Sequence, residues 1–433
     1  MKRPTVAFLL LAVAFLLLAL SGAACGTRSD AGIVTIEFWG LGREGEVVGQ
    51  LLPEFTRQNP GIQVRIQQIP WNAAHEKLLT AYAGGSTPDL SQLGNTWLPE
   101  LVALEALEDL RPFLEASAGR VAAEDYFPGI WATNVIDGIP YGVPWYVDTR
   151  LLFYRRDLLR RAGYPRPPRT WAEWEDSMAR VKRLGGEGNF AILMPTDEFE
   201  QLLIFGLQQE EPLLAENGTR GNFSSPGFRR AFAFYVDMFR KGWAPVASET
   251  QISNVWQEFA KGYFVFYITG PWNIGEFKRR LPAEAQDDWM TAPMPGPNGP
   301  GESIAGGSSL VLFRKSNHKP EAWKLLEFLS TPENQARFYE LTGNLPSRQT
   351  AWLAPAFSGD PYTRAFREQL TRVEPAPQVP EWERIVQKMR LYAEEVVHGK
   401  KTIDEALAVF DRDVDGLLEK RRWMLARNRT GGR

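Results

Sequence analysis

From Ile33 onward the chain alternates two kinds of segment, and this alternation limits the fold more than any other feature. "IVTIEF" (33–38) alternates apolar and polar residues as a half-buried strand does. Val48, Leu51, Leu52 and Phe55 follow at helical spacing, and Asn59-Pro60-Gly61 stops that helix. "IQVRI" (62–66) reads as a second strand, Leu78, Leu79 and Tyr82 mark the next helix, and Gly84-Gly85 ends it. "DLSQL" (89–93) reads as a third strand, running into Gly94-Asn95-Thr96-Trp97 and a helix carrying Leu98, Leu101 and Leu104. Strand and helix by turns predict an α/β fold around a mostly parallel sheet covered on both faces. In such sheets a ligand lies outside the carboxyl ends of the strands. Each expected strand here empties into a loop bearing Trp, Gly or Asn.

At 433 residues the chain exceeds what one core organises, so two or more domains or lobes are expected. Past residue 150 the pattern resumes. Thr170 to Gly185 is predicted as a helix opened by a Thr170/Glu173 capping box, with Trp171, Trp174, Met178 and Val181 on one face. Phe228, Phe232, Tyr235 and Phe239 form another apolar stripe, read as core. "APMPGPNGPGES" (292–303) is a loop between strands, "AWKLLEFL" and "RFYELTG" are helical, and "RNRTGGR" closes the chain as a polar, mobile tail.

Met1-Lys2-Arg3 precedes the unbroken apolar run Val6 to Leu20 and the small residues "SGAAC", the layout of a secretory signal peptide over residues 1–24. A run of about 15 apolar residues is short for a membrane span. Cys25 is the only cysteine, so no intrachain disulfide can form. It stands where the leader ends, as the lipid-modified first residue of a bacterial lipoprotein does, although Gly22 occupies the position where Leu is usual. Residues 25–32 then read as a flexible tether, and the chain as exported and held at the membrane by its lipid alone.

A net charge of −3 gives no surplus of cations for nucleic acid. Gly40-Leu41-Gly42-Arg43-Glu44-Gly45 matches a dinucleotide fingerprint in form, but Ile66-Gln67-Gln68-Ile69-Pro70 offers no acidic residue at the end of the second strand. The glycines are better read as a tight turn that lets a ligand approach the backbone. Glu44 and Glu46 at that turn are open to three readings: the acid and base of a glycosidase, acceptors for sugar hydroxyls, or a solvated helix N-terminus. His75, His318 and His398 are scattered, without the spacing of a metal site. No nucleophile elbow and no P-loop occurs, so no cofactor, metal or catalytic residue is assigned and no enzyme activity is expected.

The aromatic residues form a more coherent set. Trp39, Trp71, Trp97, Trp145, Tyr146 and Trp272 all fall at expected strand ends or in the loops after them. A pyranose has an apolar C–H face and a rim of hydroxyls. A pocket for it needs flat rings for the face and Asp, Glu, Asn or Arg for the rim. Each ring taken singly could equally be packing.

In order and spacing, several stretches resemble the substrate-binding proteins of ABC-type carbohydrate importers, the group that includes maltose-binding protein. They include "LLPEFTRQNPGIQVRIQQIP" (51–70), "LLTAYAGGSTPDLSQLGNTW" (78–97), "GIPYGVPWYVDTRLLFYRRDLLRRAGY" (138–164), "FAKGYFVFYITGPWNIGEF" (259–277), "AGGSSLVLF" (305–313) and "GNLPSR" (343–348). The resemblance implies a periplasmic-binding-protein-like fold: two α/β lobes, a hinge of several crossings and a ligand cleft between the lobes. Crossings are expected near 144–147, 304–308 and 344–348. The first lobe would combine 31–145 with 306–345, and the second 146–305 with 346–425, leaving 426–433 as the tail. It implies ligand contacts from Trp39, Gly40, Glu44, Glu46, Trp71, Asn95, Trp97, Trp145, Tyr146, Asp148, Trp272, Gly307, Ser308 and Arg348. Trp272 would stack on a sugar face, opposite Trp39, Asn95 and Trp97, with the sugar itself covering the ring. The implied protein is a monomeric, non-enzymatic receptor that passes a di- or oligosaccharide, such as the α-glucosides maltose or trehalose, to the permease subunits. The alternatives are an extracellular carbohydrate-active enzyme, or a receptor for another solute such as a polyol or a glycerophosphodiester.

Overall fold

The computed structural model describes residues 32–252 and 254–430. The leader 1–24, Cys25, the tether up to residue 31 and residues 431–433 lie outside the described residues.

Ten strands build two main sheets. In chain order they are β1 (Val34–Leu41), β2 (Ile62–Ile69), β3 (Leu90–Gly94), β4 (Val143–Val147), β5 (Leu151–Arg155), β6 (Ile192–Leu193), β7 (Phe266–Thr269), β8 (Trp289–Ala292), β9 (Gly307–Leu312) and β10 (Leu345–Pro346). The first sheet runs β10-β4-β9-β3-β1-β2, and the second β8-β5-β7-β6. Ile36 and Phe38, the alternate apolar residues of β1, are fully buried, as the pattern requires. The helix expected after β1 is broken instead: Gly42–Val47, a 3-10 turn Val48–Gln50, and Leu52–Gln58. Pro53 stands in the first turn of the last piece, where its missing N–H costs least, so the helical run restarts there.

The sheets are mixed, and the expectation of mostly parallel pairing fails. β1 pairs parallel with β2 and β3, but β9 runs antiparallel to both β3 and β4, and β10 antiparallel to β4. In the second sheet only β7 and β6 are parallel. Chain passage explains this. β4 leaves the first sheet at the edge where β3 ends, and β9 re-enters at the same edge, with Ser308 opposite Gly94 and Gly307 opposite Val147. A returning strand must run backwards.

Each lobe has its own core. Phe38, Trp145, Leu310 and Phe338 pack together in the first. Trp174, Phe205, Phe266 and Trp382 form one cluster of the second, and Phe153, Phe277, Trp289 and Phe366 another. Phe127 and Ile130 join this last cluster, although they lie in sequence within 31–145. Helix Trp171–Gly185 forms as expected, with Thr170 Oγ1 accepting from Glu173 N at 3.1 Å. The capping box is only half made, because the Glu173 carboxylate accepts from Arg169 N at 2.8 Å instead. The final helix runs from Glu419 to Thr430 and so takes in much of the stretch read as a tail.

Candidate functional site

A cavity of about 480 Å³ is walled by both lobes. On the first lobe its residues stand at or just beyond strand ends: Glu44 after β1, Trp71 after β2, Gly94 closing β3 and Asn95 to Trp97 after it, joined by Tyr146 of β4 and by Asn344. The second lobe supplies Asp148, Arg150, Phe199, Glu200, Trp272 and Glu383, and Ile304, Gly306 and Gly307 line the crossing. A mixed sheet therefore still places its cavity outside the carboxyl ends of its parallel strands.

The turn after β1 is built by close backbone contact. A Cβ on Gly40 would lie 2.5 Å from Gly45 Cα, so these two glycines let the helix fold back on the strand that precedes it. That contact aims Glu44 into the cavity. Its carboxylate accepts from Asn344 Nδ2 at 2.7 Å and from Trp71 Nε1 at 3.2 Å. Trp71 in turn meets Trp97 edge-on, with ring centroids 5.7 Å apart and an interplanar angle of 64°. Asn95 Nδ2 donates to Ala305 O at 2.6 Å, tying the loop after β3 to the crossing.

On the other side, β7 ends at Thr269 and the chain turns through Gly270-Pro271 into helix Trp272–Arg280. Asn273 pins this turn: Nδ2 donates to Thr269 Oγ1 at 2.7 Å, and Oδ1 accepts from Trp256 Nε1 at 3.0 Å. The Trp272 indole folds back over Gly270, where a Cβ would come within 1.9 Å of Cζ3. Its ring is not left for a ligand alone. The Arg150 guanidinium lies 4.5 Å from the centroid, a cation–π contact, and also pairs with Asp148 and, at 3.3 Å, with Glu200.

The electrostatics are acid-rich. Burial raises the Asp148 carboxyl above its ordinary range, against the pull of Arg150. Burial also opposes the Arg150 charge, but Asp148, Glu200 and Glu198 together outweigh it and hold its pKa up. Glu198, behind the wall, is pushed to about 7 by burial and by the negative charge of Glu200. Burial raises Glu383 too, opposed by a hydrogen bond with Thr96 across the cleft. Among the described residues, four carboxylates thus line a cavity whose one lining cation is already paired. Among the described residues, no group of three or more His, Cys, Asp and Glu is placed to hold a metal ion.

Of the residues singled out from sequence, Glu44, Trp71, Asn95, Trp97, Tyr146, Asp148, Trp272 and Gly307 line this cavity, and six others do not. Trp39 is buried in the core of the first lobe beneath the Lys77 ammonium, not opposite Trp272. Gly40 is occupied by Gly45, so its glycine serves helix packing and not ligand approach. Glu46 is exposed on the far side of the short helix from Glu44. Trp145 is fully buried and stacks on Phe338 at 4.3 Å; it is the extra residue of a β-bulge, since Ser308 pairs with Tyr146 and Ser309 with Pro144, and of the two adjacent rings only Tyr146 also lines the cavity. Ser308 is buried with Oγ donating to Leu93 O. Arg348 donates to Asp125 Oδ2 at 2.6 Å, to Arg120 O at 2.9 Å and to Ser330 O at 3.1 Å, a structural tie away from the cavity. Cys25 lies outside the described residues.

Sequence reading missed Thr96, Arg150, Phe199, Glu200, Asn344 and Glu383. Arg150 and Asn344 lie inside stretches already singled out, two residues from Asp148 and four from Arg348. Phe199, Glu200 and Glu383 sit at the starts of helices with no motif around them, and only the fold brings them to the cleft.

The family model for bacterial extracellular solute-binding proteins matches residues 40–336. The structure of the sugar-binding protein MalE from the phytopathogen Xanthomonas citri is similar over 91% of this chain and 99% of that one, with 54% sequence identity and a TM-score of 0.88. The diacetylchitobiose binding protein DasA of Streptomyces coelicolor is 24% identical over 367 residues, 83% of each chain. An uncharacterized lipoprotein of Streptomyces antibioticus is 27% identical over 392 residues, 86% of this chain and 84% of that one.

Proposed function

We propose a ligand and a mode of action for this chain, which belongs to the bacterial extracellular solute-binding proteins. It is a sugar-binding protein of an ABC importer. Its ligand is a neutral di- or oligosaccharide, with α-glucosides such as maltose or trehalose the first to try, held between the lobes and passed to the transmembrane permease subunits. Cys25 carries the lipid that keeps it at the membrane, and it works as a monomer.

The observation that carries this reading is the make-up of the cavity wall. Trp71, Trp97 and Trp272 offer flat apolar faces, while Glu44, Asn95, Asp148, Glu200 and Asn344 offer hydrogen-bonding groups for a hydroxyl rim. More than one indole suits more than one ring. The volume falls within the range of about 300 to 1,000 Å³ usual for small-ligand sites. A glycerophosphodiester fits this wall poorly. Its phosphate would meet four lining carboxylates and a single arginine already engaged by two of them.

The hinge is assigned to the three segments that meet at one level of the first sheet, where Val147 faces both Gly307 and Leu345. A ligand touching both lobes gains contacts only when they approach, which favours the closed form that a permease reads. Incubation with maltose, trehalose and longer glucosides, with product analysis afterwards, tests the non-enzymatic part. Stoichiometric retention of intact sugar is expected, and multiple turnover would overturn it.

A further inference from the structure

Gln92 stands in β3, fully buried and just behind the cavity wall. A buried amide needs a partner at each end. Its Oε1 accepts from Leu41 N at 2.8 Å, and its Nε2 donates to the Tyr146 hydroxyl at 3.2 Å. The backbone N–H of Leu41 can only donate, so it decides which end of the amide is the oxygen. Turning the amide over would set two N–H groups against each other. Tyr146 therefore accepts from Gln92, and its own proton must go elsewhere. Leu41 is also the residue from which helix Gly42–Val47 starts, so one side chain ties the turn behind Glu44 to the Tyr146 ring.

Burial, joined by the negative charge of Glu44 and Asp148, holds the Tyr146 phenol well above its ordinary pKa, so the hydroxyl keeps its proton. Tyr146 lines the cavity beside Glu44, and Glu44 is already served by Asn344 Nδ2 and Trp71 Nε1. Other donors of the wall are engaged within the protein: Asn95 Nδ2 with Ala305 O, and the Arg150 guanidinium with Asp148 and Glu200. Ionised carboxylates accept and do not donate. A sugar hydroxyl that gives its proton to one of them still has an oxygen that accepts, and the ring and bridging oxygens can only accept.

We propose that Gln92 is a positioning residue for ligand recognition, fixing Tyr146 as a donor aimed at an acceptor oxygen of the sugar. This rests on the reading of the cavity as a sugar site.

The test is a double-mutant cycle with a spectroscopic control. Gln92→Glu keeps the size and the bond from Leu41 N, but its carboxylate accepts from the phenol and turns the Tyr146 proton inward. Gln92→Met offers the phenol no donor at all, and Tyr146→Phe removes the hydroxyl. In titrations with maltose and trehalose, each single variant should lose about three- to tenfold in affinity. Adding Gln92→Glu to Tyr146→Phe should cost nothing further, because Gln92 acts through the hydroxyl. In the ligand-free protein the tyrosine Raman doublet, taken as a difference against the same chain carrying Tyr146→Phe, should show the phenol as an acceptor in wild type and lose that character in Gln92→Glu and Gln92→Met. Should Gln92→Glu not fold, Gln92→Met gives the same affinity and Raman comparisons. Additive losses in the cycle, or wild-type affinity in both Gln92 variants, would overturn the proposal. If wild type binds neither sugar, the sugar reading fails and the donor role with it, whereas a Raman doublet unchanged in both Gln92 variants would by itself remove the tie between Gln92 and Tyr146.

Discussion

The guanidinium of Arg150 lies 4.5 Å over the Trp272 ring while it holds Asp148 and Glu200, so one side chain joins the aromatic platform of the second lobe to its carboxylates. Such a group can be a lid that a sugar displaces or a brace that a sugar uses. The brace is expected, because removing Arg150 leaves Asp148 buried without its cation. Arg150→Ala should weaken sugar binding about tenfold or more in calorimetric titration. A tighter complex would mean that Arg150 is a lid.

On the proposed function, Trp272 supplies contact area to the ligand from the cavity wall. Trp272→Ala should cost about 1 to 3 kcal/mol of binding energy, roughly tenfold or more in Kd, with little change in unfolding free energy. Unchanged affinity would reduce the ring to a packing partner of Arg150.

Glu44 and Glu46 differ by two positions in sequence and entirely in setting. Glu44 is held by Asn344 and Trp71 at the cavity wall, whereas Glu46 faces solvent. Glu44→Ala frees both donors and should weaken binding by about 1 to 3 kcal/mol. Glu46→Ala should match wild type within error in the same titration, and equal losses in the two would contradict this assignment.

Arg348 is tied into a buried network with Asp125, Arg120 and Ser330. Removing one partner of a buried pair leaves the other charge uncompensated, so Arg348→Ala should lower stability by about 3 to 5 kcal/mol in urea denaturation. Sugar affinity of the folded fraction should be unaffected. The reverse pattern, lost affinity with full stability, would return Arg348 to the binding site.

Glu198 gives a pH dependence of definite sign. Its carboxyl titrates near 4.5 when free and at about 7 in the fold, so the folded state favours the protonated form. Its contribution is fully present below the lower value and is lost as pH rises through the upper one. Relative to Glu198→Gln, wild type should lose about 1 to 3 kcal/mol of stability between about pH 5 and about pH 8. A difference that is flat, or that grows in favour of wild type, would contradict this.

The sequence shows clearly what depends on local pattern. The strand read at 33–38 forms as Val34–Leu41 and the helix read at 170–185 as Trp171–Gly185, and the residues just past β1, β2 and β3 reached the cavity because short loops leave them little choice. What it hid depends on chain direction and on side-chain aim. The antiparallel course of β9 follows from a return across the hinge, which no local pattern records. Trp145 and Tyr146 are adjacent aromatics, and only the register of β4 decides which one faces the cavity. Glu200 and Glu383 come from helices far apart in sequence, and their place at the cleft is a product of packing alone.

If the cavity between the lobes holds a neutral sugar and does not hold an anionic solute, the two classes of ligand must separate in a single calorimetric experiment. The purified protein is titrated with maltose, trehalose, longer glucosides and glycerophosphocholine side by side. One-to-one binding of at least one of these sugars is expected, with a negative heat-capacity change, abolished or weakened about tenfold or more by Trp272→Ala, and no heat from the phosphodiester. Saturable binding of glycerophosphocholine with none of the sugars would overturn the assignment.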